Sequence, residues 1–301
     1  MPYLWILVTV AATGFQVARN AAQRGMIGDA GPWGATLVRF LFGLPFSLLF
    51  TACAALAARQ LHPHVSAAYL TFALTGAATQ ALATAALLVA MRRAGFAVGT
   101  VMQQSSLPLS AVLGLLIFHD QLSASAWSGV AAATAGLAWL TWPRRATAQQ
   151  SEQAPRPMSG AAFGLLSGLC FGFSLNAYRH AARALEPTHP VFSAVATVSI
   201  TQAAQSLVLT AWLAWRHPWA LRAIGAGWRT SLWAGFCGAV ASAGWLLALA
   251  LAPAASVRAV GMIEAPMAAV AGRRVFKEHL SLSQWLAGAL AAIGVTLTAL
   301  G

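Results

Sequence analysis

One carboxylate stands in the middle of a long apolar run. Glu264 lies in Gly261-Met262-Ile263-Glu264-Ala265-Pro266, whereas Asp29, Asp120, Glu152, Glu186 and Glu278 all fall at the ends of apolar segments or between them. A carboxylate at membrane depth is costly and marks a site where an ion, a proton or a ligand is handled. Pro266 sharpens that reading. It removes a backbone donor and disturbs the helix one turn back, so carbonyls near Met262 come free beside the acid. The chemistry is proton or substrate coupling, with a structural carboxylate held by a neighbouring helix as the alternative. Arg39, in Leu37-Val38-Arg39-Phe40, is the basic counterpart within a span. It is expected to clamp helices structurally, with pairing to Glu264 or holding an anionic ligand group as alternatives.

Further polar residues recur at helical spacing. Gln16 and Asn20, Gln80 and Thr84, Gln104 and Pro108, and Asn176 and His180 are each four apart. Such pairs share a helix face and can line a polar cavity or bond between helices. The run Gln103-Gln104-Ser105-Ser106 covers every face of a turn, which simple helix packing does not require. Trp245, three residues from Ser242, is the mid-span aromatic most suited to an apolar part of a ligand. The expected ligand-binding set is therefore Gln16, Asn20, Gln80, Gln103, Gln104, Asn176, Trp245 and Glu264, with Glu264 also coupling.

The chain contains no Gly-x-Ser-x-Gly, His-Glu-x-x-His, P-loop or dinucleotide fingerprint, so no enzyme activity and no cofactor is expected. Cys53, Cys170 and Cys237 lie inside apolar segments without ligand spacing and point to neither a disulfide nor a metal site. The formal charge of +12 comes from basic residues in ones and twos at segment ends, which suits anchoring at anionic lipid and not nucleic acid.

The elements that must position these residues follow from composition. The 301 residues are 59% hydrophobic and only 8% charged. A soluble domain carries about 25% charged residues. Apolar runs of about 20 residues, enough for a helix to cross a bilayer, recur along the chain. The fold class is all-α: a polytopic membrane protein with ten transmembrane helices at 3–22, 33–58, 65–90, 95–118, 123–142, 159–179, 189–215, 228–251, 255–275 and 281–300. The chain starts in a full span without a charged leader, and no cleavable signal peptide is expected.

The second half echoes the first. Pro108 and Pro266 are 158 positions apart, and the same offset pairs Phe118 with Phe276, Asp120 with Glu278, Trp127 with Trp285, and Gly14-Phe15 with Gly172-Phe173. The polar stretch 143–158 divides a first five-helix repeat, 1–142, from a second, 159–301. An odd number of spans per repeat inverts the second relative to the first, the arrangement from which many transporters build two alternative gates. Gly160, Gly164, Gly168 and Gly172 form a stripe on one helix face, expected to admit a neighbouring helix closely, with a dimer interface as the alternative.

Five-plus-five spans, Arg39 in span two, Ser106-Leu107-Pro108-Leu109 with Asp120-Gln121-Leu122, and Ile263-Glu264-Ala265-Pro266 with Lys277-Glu278-His279-Leu280 together resemble the EamA-type branch of the drug/metabolite transporter superfamily. The resemblance spans essentially the whole chain. It implies ten helices around a central cavity and export of small metabolites, often amino acids including aromatic ones, by exchange or with protons. Arg39 and Glu264 carry over as family positions, and Asp120 and Glu278 as structural loop acids, beside Pro108 and Pro266. Thr197 stands where the second repeat would match Arg39.

The expectation is a secondary-active exporter of small amphipathic metabolites in the plasma (inner) membrane, working by alternating access. It would be a monomer or weak homodimer whose partners are substrate, lipid and protons, with no nucleic acid. A gradient-independent facilitator or exchanger, and a non-transporting scaffold or lipid-handling protein, are the alternatives. Orientation is left with two readings. Arg59, Arg179, Arg183 and Arg258 fall on one side, Arg39 lies in a span, and the other thirteen of the 18 basic residues fall opposite. By the positive-inside rule this puts both termini outside. The resemblance puts them in the cytoplasm.

Overall fold

A computed structural model describes residues 4–58, 60–106, 157–251 and 263–277, with single positions or pairs between 108 and 139, 257 and 261, and 286 and 293. Among the described residues the helices are α1 (Leu4–Leu41), α2 (Leu44–Ala57), α3 (Ala67–Ala94), α4 (Phe96–Gln103), α5 (Pro157–Leu185), α6 (Pro190–Arg216), α7 (Pro218–Ala226), α8 (Trp228–Leu251) and α9 (Glu264–Phe276). The protein is an all-α, helical membrane protein. Among the described residues, five helical stretches are long and apolar enough to cross a bilayer: Leu4–Ala57, Ala67–Ala94, Gly160–Leu185, Pro190–Arg216 and Trp228–Leu251.

The first of these stretches is far longer than one crossing needs. Its 54 residues would extend about 80 Å as a straight helix against a hydrocarbon core of about 30 Å. The chain instead folds back at Gly31, where φ is 67° and Pro32 follows. Only glycine adopts that φ without strain. The reversal is reported by Gln23 Nε2, which donates to the Ala35 carbonyl at 2.6 Å. Twelve residues of straight helix would hold those groups about 18 Å apart. The first helix therefore runs on to Ala30, beyond the expected end at residue 22, and the break falls within the 23–32 interval between the first two expected spans. A second, milder interruption at Phe42-Gly43 precedes Pro45.

Two other boundaries differ from expectation. α5 continues to Leu185, six residues past the expected end, so Arg179 and His180 are helical. The segment after His217-Pro218 forms the short helix α7, whose Ala220 and Ile224 are buried. Three small or apolar positions turned to one side suffice for this: the reversal at Gly31–Gly34 leaves room for Trp219, Ala220 and Ile224 to pack there. Trp33, Trp212, His217 and Trp219 stack in sequence around that corner, with ring centroids 5.4–6.1 Å apart.

The bundle is held by helices from opposite halves of the chain. α3 packs along α5, and α1 along α8. The glycine stripe of α5 makes the first contact possible. A methyl added at Gly160 would meet Ala94, at Gly164 it would lie 2.5 Å from Met102 Cβ, and at Gly168 it would overlap Ser105. The stripe is used inside the molecule, on α3 and α4. Where the α1–α2 junction crosses α8, a methyl at Gly235 would lie 2.4 Å from the Phe42 carbonyl carbon, and one at Gly43 would lie 3.0 Å from the Gly235 carbonyl oxygen.

Outside the spans, the α2–α3 connection is latched to the α5–α6 turn. His64 N–H donates to the Leu185 carbonyl at 2.8 Å, and His62 N–H donates to Glu186 Oε2 at 2.8 Å. The Thr188 hydroxyl also donates to the Glu186 carboxylate. These donors, Thr188 first, hold the Glu186 carboxyl below its ordinary range.

Candidate functional site

Two helix breaks meet near the centre of the bundle. α4 ends at Gln103, and the next turn tightens: Gln104 N–H bonds the Val101 carbonyl at 2.9 Å, and Ser105 N–H bonds that of Met102 at 3.1 Å. Pro108 explains the position. It has no N–H to give the Gln104 carbonyl, so regular pairing is lost one turn before it. On the other side, Glu264 opens α9 with Ile263 as its N-cap. Pro266 is the third residue of that helix, within the first turn, where no intrahelical acceptor is lost. The carboxylate thus sits at a helix N-terminus, favoured by the dipole. Just before it, Ile263 N–H bonds the Val260 carbonyl at 3.3 Å. Met262, where freed carbonyls were expected, is outside the described residues. The breaks are joined by one short bond: Gln104 Nε2 donates to Glu264 Oε2 at 2.7 Å, with both residues at least 95% buried.

Arg39 does not pair with Glu264, correcting that alternative. Its guanidinium donates to Thr84 Oγ1 at 2.9 Å and to Ser242 Oγ at 3.3 Å, tying the second span to α3 and α8. Thr84 in turn donates to the Gln80 carbonyl, and Gln80 Oε1 accepts from the Tyr178 hydroxyl at 3.0 Å and Gln205 Nε2 at 3.1 Å. One polar chain therefore runs from Arg39 through α3 to α5 and α6.

Arg19 is the main correction to the sequence reading, which set it among the anchors at the membrane ends. It is 1% exposed. Its Nε and Nη2 donate to Asn20 Oδ1 at 3.2 and 2.7 Å. A sequence signal for this existed: Arg19 lies three residues after Gln16 and four before Gln23, on the polar face of α1. Tyr178, Gln202 and Gln205 also belong to the polar interior and were not in the expected set. A lone tyrosine between Ala177 and Arg179 carries no periodic signal.

The remaining expected residues are placed as follows. Gln16, Asn20 and Gln103 are buried, and Gln16 Nε2, Asn20 Nδ2 and Gln103 Oε1 have no hydrogen-bond partner among the described residues. Gln80 is half-buried in its network. Asn176, also half-buried, donates to the Gly172 carbonyl of its own helix at 3.1 Å. Trp245 is buried against Ala12, Ala241, Ala248 and Leu249, with its ring over Gly261. Pro108 is buried, and Pro266 is described only in its backbone. Asp120 and Glu278 lie outside the described residues. No group of three or more His, Cys, Asp or Glu suited to a metal occurs among the described residues.

A separate groove of about 520 Å³ runs between α1 and α9, lined by residues that include Gly14, Val17, Ala18, Ala21, Met267 and Val270. Its α1 residues repeat at three and four, on a different face from Gln16, Asn20 and Gln23. The groove is apolar and is not the polar site.

Residues 158–300 match the EamA-like transporter family. The whole fold is similar to that of a protein solved by crystallography: TM-score 0.61, 16% identity, covering 99% of this chain and 96% of the other. At that identity the likeness concerns the fold alone. No curated protein matches the chain.

Proposed function

Since the chain carries an EamA-like transporter family domain over residues 158–300, part of the drug/metabolite transporter superfamily of non-enzymatic membrane transporters of small molecules, we propose that it is a secondary-active exporter of small amphipathic metabolites, amino acids among them. The working architecture is ten spans in two inverted repeats, 1–142 and 159–301, joined by 143–158. The substrate site lies at the repeat interface and the protein works by alternating access in the plasma (inner) membrane.

The observation that carries this reading is the Gln104–Glu264 bond. It links the two proline-marked breaks, one from each half, deep in the bundle. Discontinuous helices at mid-membrane are where transporters place substrate and coupling ions. Glu264 is the coupling group, the one carboxyl at the meeting of the two breaks where a proton or a substrate group would be handled. Gln16, Asn20 and Gln103, each with an unpartnered polar atom among the described residues, face ligand polar groups. Gln80 and Asn176 line the same interior, and Trp245 borders its apolar part.

The test is flux in proteoliposomes under an imposed pH gradient. Glu264→Gln should cut gradient-driven flux at least tenfold. Full flux in that variant excludes a coupling role. Flux by the unaltered protein that ignores the gradient favours a facilitator or exchanger. The apolar groove between α1 and α9 supports lipid handling as a second reading, which a complete absence of substrate-dependent flux would favour.

A further inference from the structure

We infer that the ligand of this central site is a small organic anion, its charged group held by Arg39 with Arg19 beside it. The inference deepens the transport reading and rests on it.

The argument is one of charge balance. Two guanidinium groups are buried in the helical interior: Arg19 is 1% exposed and Arg39 2%. Arginine does not give up its proton inside proteins, so both are cations. The acids do not match them. Asp29 is exposed, Glu186 sits at the α5–α6 turn, and among the described residues Glu264 is the single acid buried within a membrane helix. Among the described residues, these groups leave one positive charge in excess with Glu264 ionised and two with it protonated. An uncompensated charge at this depth is costly.

Arg39 has no acidic partner among the described residues. Arg19 lies within electrostatic reach of Glu264, whereas Arg39 lies within reach of Arg19, which repels it. Among the described residues the Arg39 partners are all neutral: two hydroxyls and the face of Phe40, 5.0 Å from the guanidinium. Its Nε has no hydrogen-bond partner among them. Gly238 stands between the two arginines; a methyl added there would lie 3.3 Å from Arg19 Cδ and 3.3 Å from Arg39 Cβ. A guanidinium with a spare N–H and a second cation nearby suit a carboxylate, which accepts several charge-assisted bonds. A cationic ligand would add repulsion to repulsion.

The experiment uses the full chain in a neutral detergent. Thermal unfolding is followed against matched sets of one apolar body with different heads: phenylacetate, phenylacetamide, phenethylamine and phenylalanine, and the corresponding indole series. The carboxylates should raise the unfolding midpoint, with half-effects at concentrations about tenfold or more below those of the amides and amines. Arg39→Gln should abolish the carboxylate advantage, and Arg39→Lys, which keeps the charge, should retain part of it. Amines or amides that match the carboxylates overturn the anion assignment while leaving small-molecule binding in place. No response to any member overturns both. Should Arg39→Gln fail to fold, the ranking of the panel on the unaltered protein decides.

Discussion

Gln104 and Glu264 act as a pair drawn from the two halves of the chain, and their bond is also the most exposed point of the design. A neutral amide facing a carboxyl serves either protonation state: it donates to the ionised form, and its oxygen accepts from the protonated one. Gln104→Leu removes that adaptability. The expected cost is about 1–2 kcal/mol in thermal stability, at the upper end for interhelical bonds in membranes. Combined with Glu264→Gln, the two losses should not add, because the second change acts on a bond already gone. A double-mutant cycle on unfolding midpoints checks this, and full additivity would contradict the contact. Arg39 shows how one residue type carries two roles. Its bonds to Thr84 and Ser242 clamp three helices, and the same neutrality of its partners leaves its charge unbalanced.

Among the elements, the crossing of the α1–α2 junction over α8 is a tight point beside the polar site. Gly235 meets the backbone at Phe42, three residues from Arg39, and backbone cannot turn aside as a flexible side chain can. Gly235→Leu should therefore force the helices apart and destabilise the protein by about 1–3 kcal/mol or more, with loss of transport. By contrast, Gly25→Ala, at a position where an added methyl meets nothing within 4 Å, should leave the unfolding midpoint unchanged or slightly raised. Equal effects of the two substitutions would show that the crossing does not set the spacing. α7 is a second case of an element defined by its neighbour: its buried residues fill the corner opened by the Gly31 reversal.

For the whole molecule, the two halves are bound together at a loop as well as in the interior. The Glu186 carboxylate accepts bonds from Thr188 and from His62 of the α2–α3 connection, and they hold its carboxyl below the ordinary value of 4.5. The sign follows from linkage. A folded value below the unfolded one means that the contribution is complete above the ordinary range and is lost as pH falls through the folded value. Acidification from neutral to below 4 should therefore lower the unfolding midpoint, and Glu186→Gln should blunt the part of that fall due to this latch. The neighbouring His189, with Nδ1 3.8 Å from Glu186 Oε1, adds attraction only while both are charged. An identical acid profile in the two proteins would remove the latch from the account.

Composition and period alone determined the class of this protein. A chain of 59% hydrophobic residues with runs of bilayer length reads as helical and membrane-embedded, because each span must satisfy its own backbone. The breaks were legible for the same local reason: Gly31, Pro108 and Pro266 act through their own backbone chemistry, so the sites of interruption needed no knowledge of the fold. The identities of the buried polar residues were partly legible from helical spacing, as with Gln16, Asn20 and Gln104. Which of them meet was not. That Gln104 finds Glu264 across 160 residues, that Arg39 finds hydroxyls instead of an acid, and that Arg19 turns inward are outcomes of which helix packs on which. α1 lies on α8 and α3 on α5 because glycine and alanine permit close approach there. Packing of that kind depends on shapes summed over two surfaces, and no single stretch of sequence contains both.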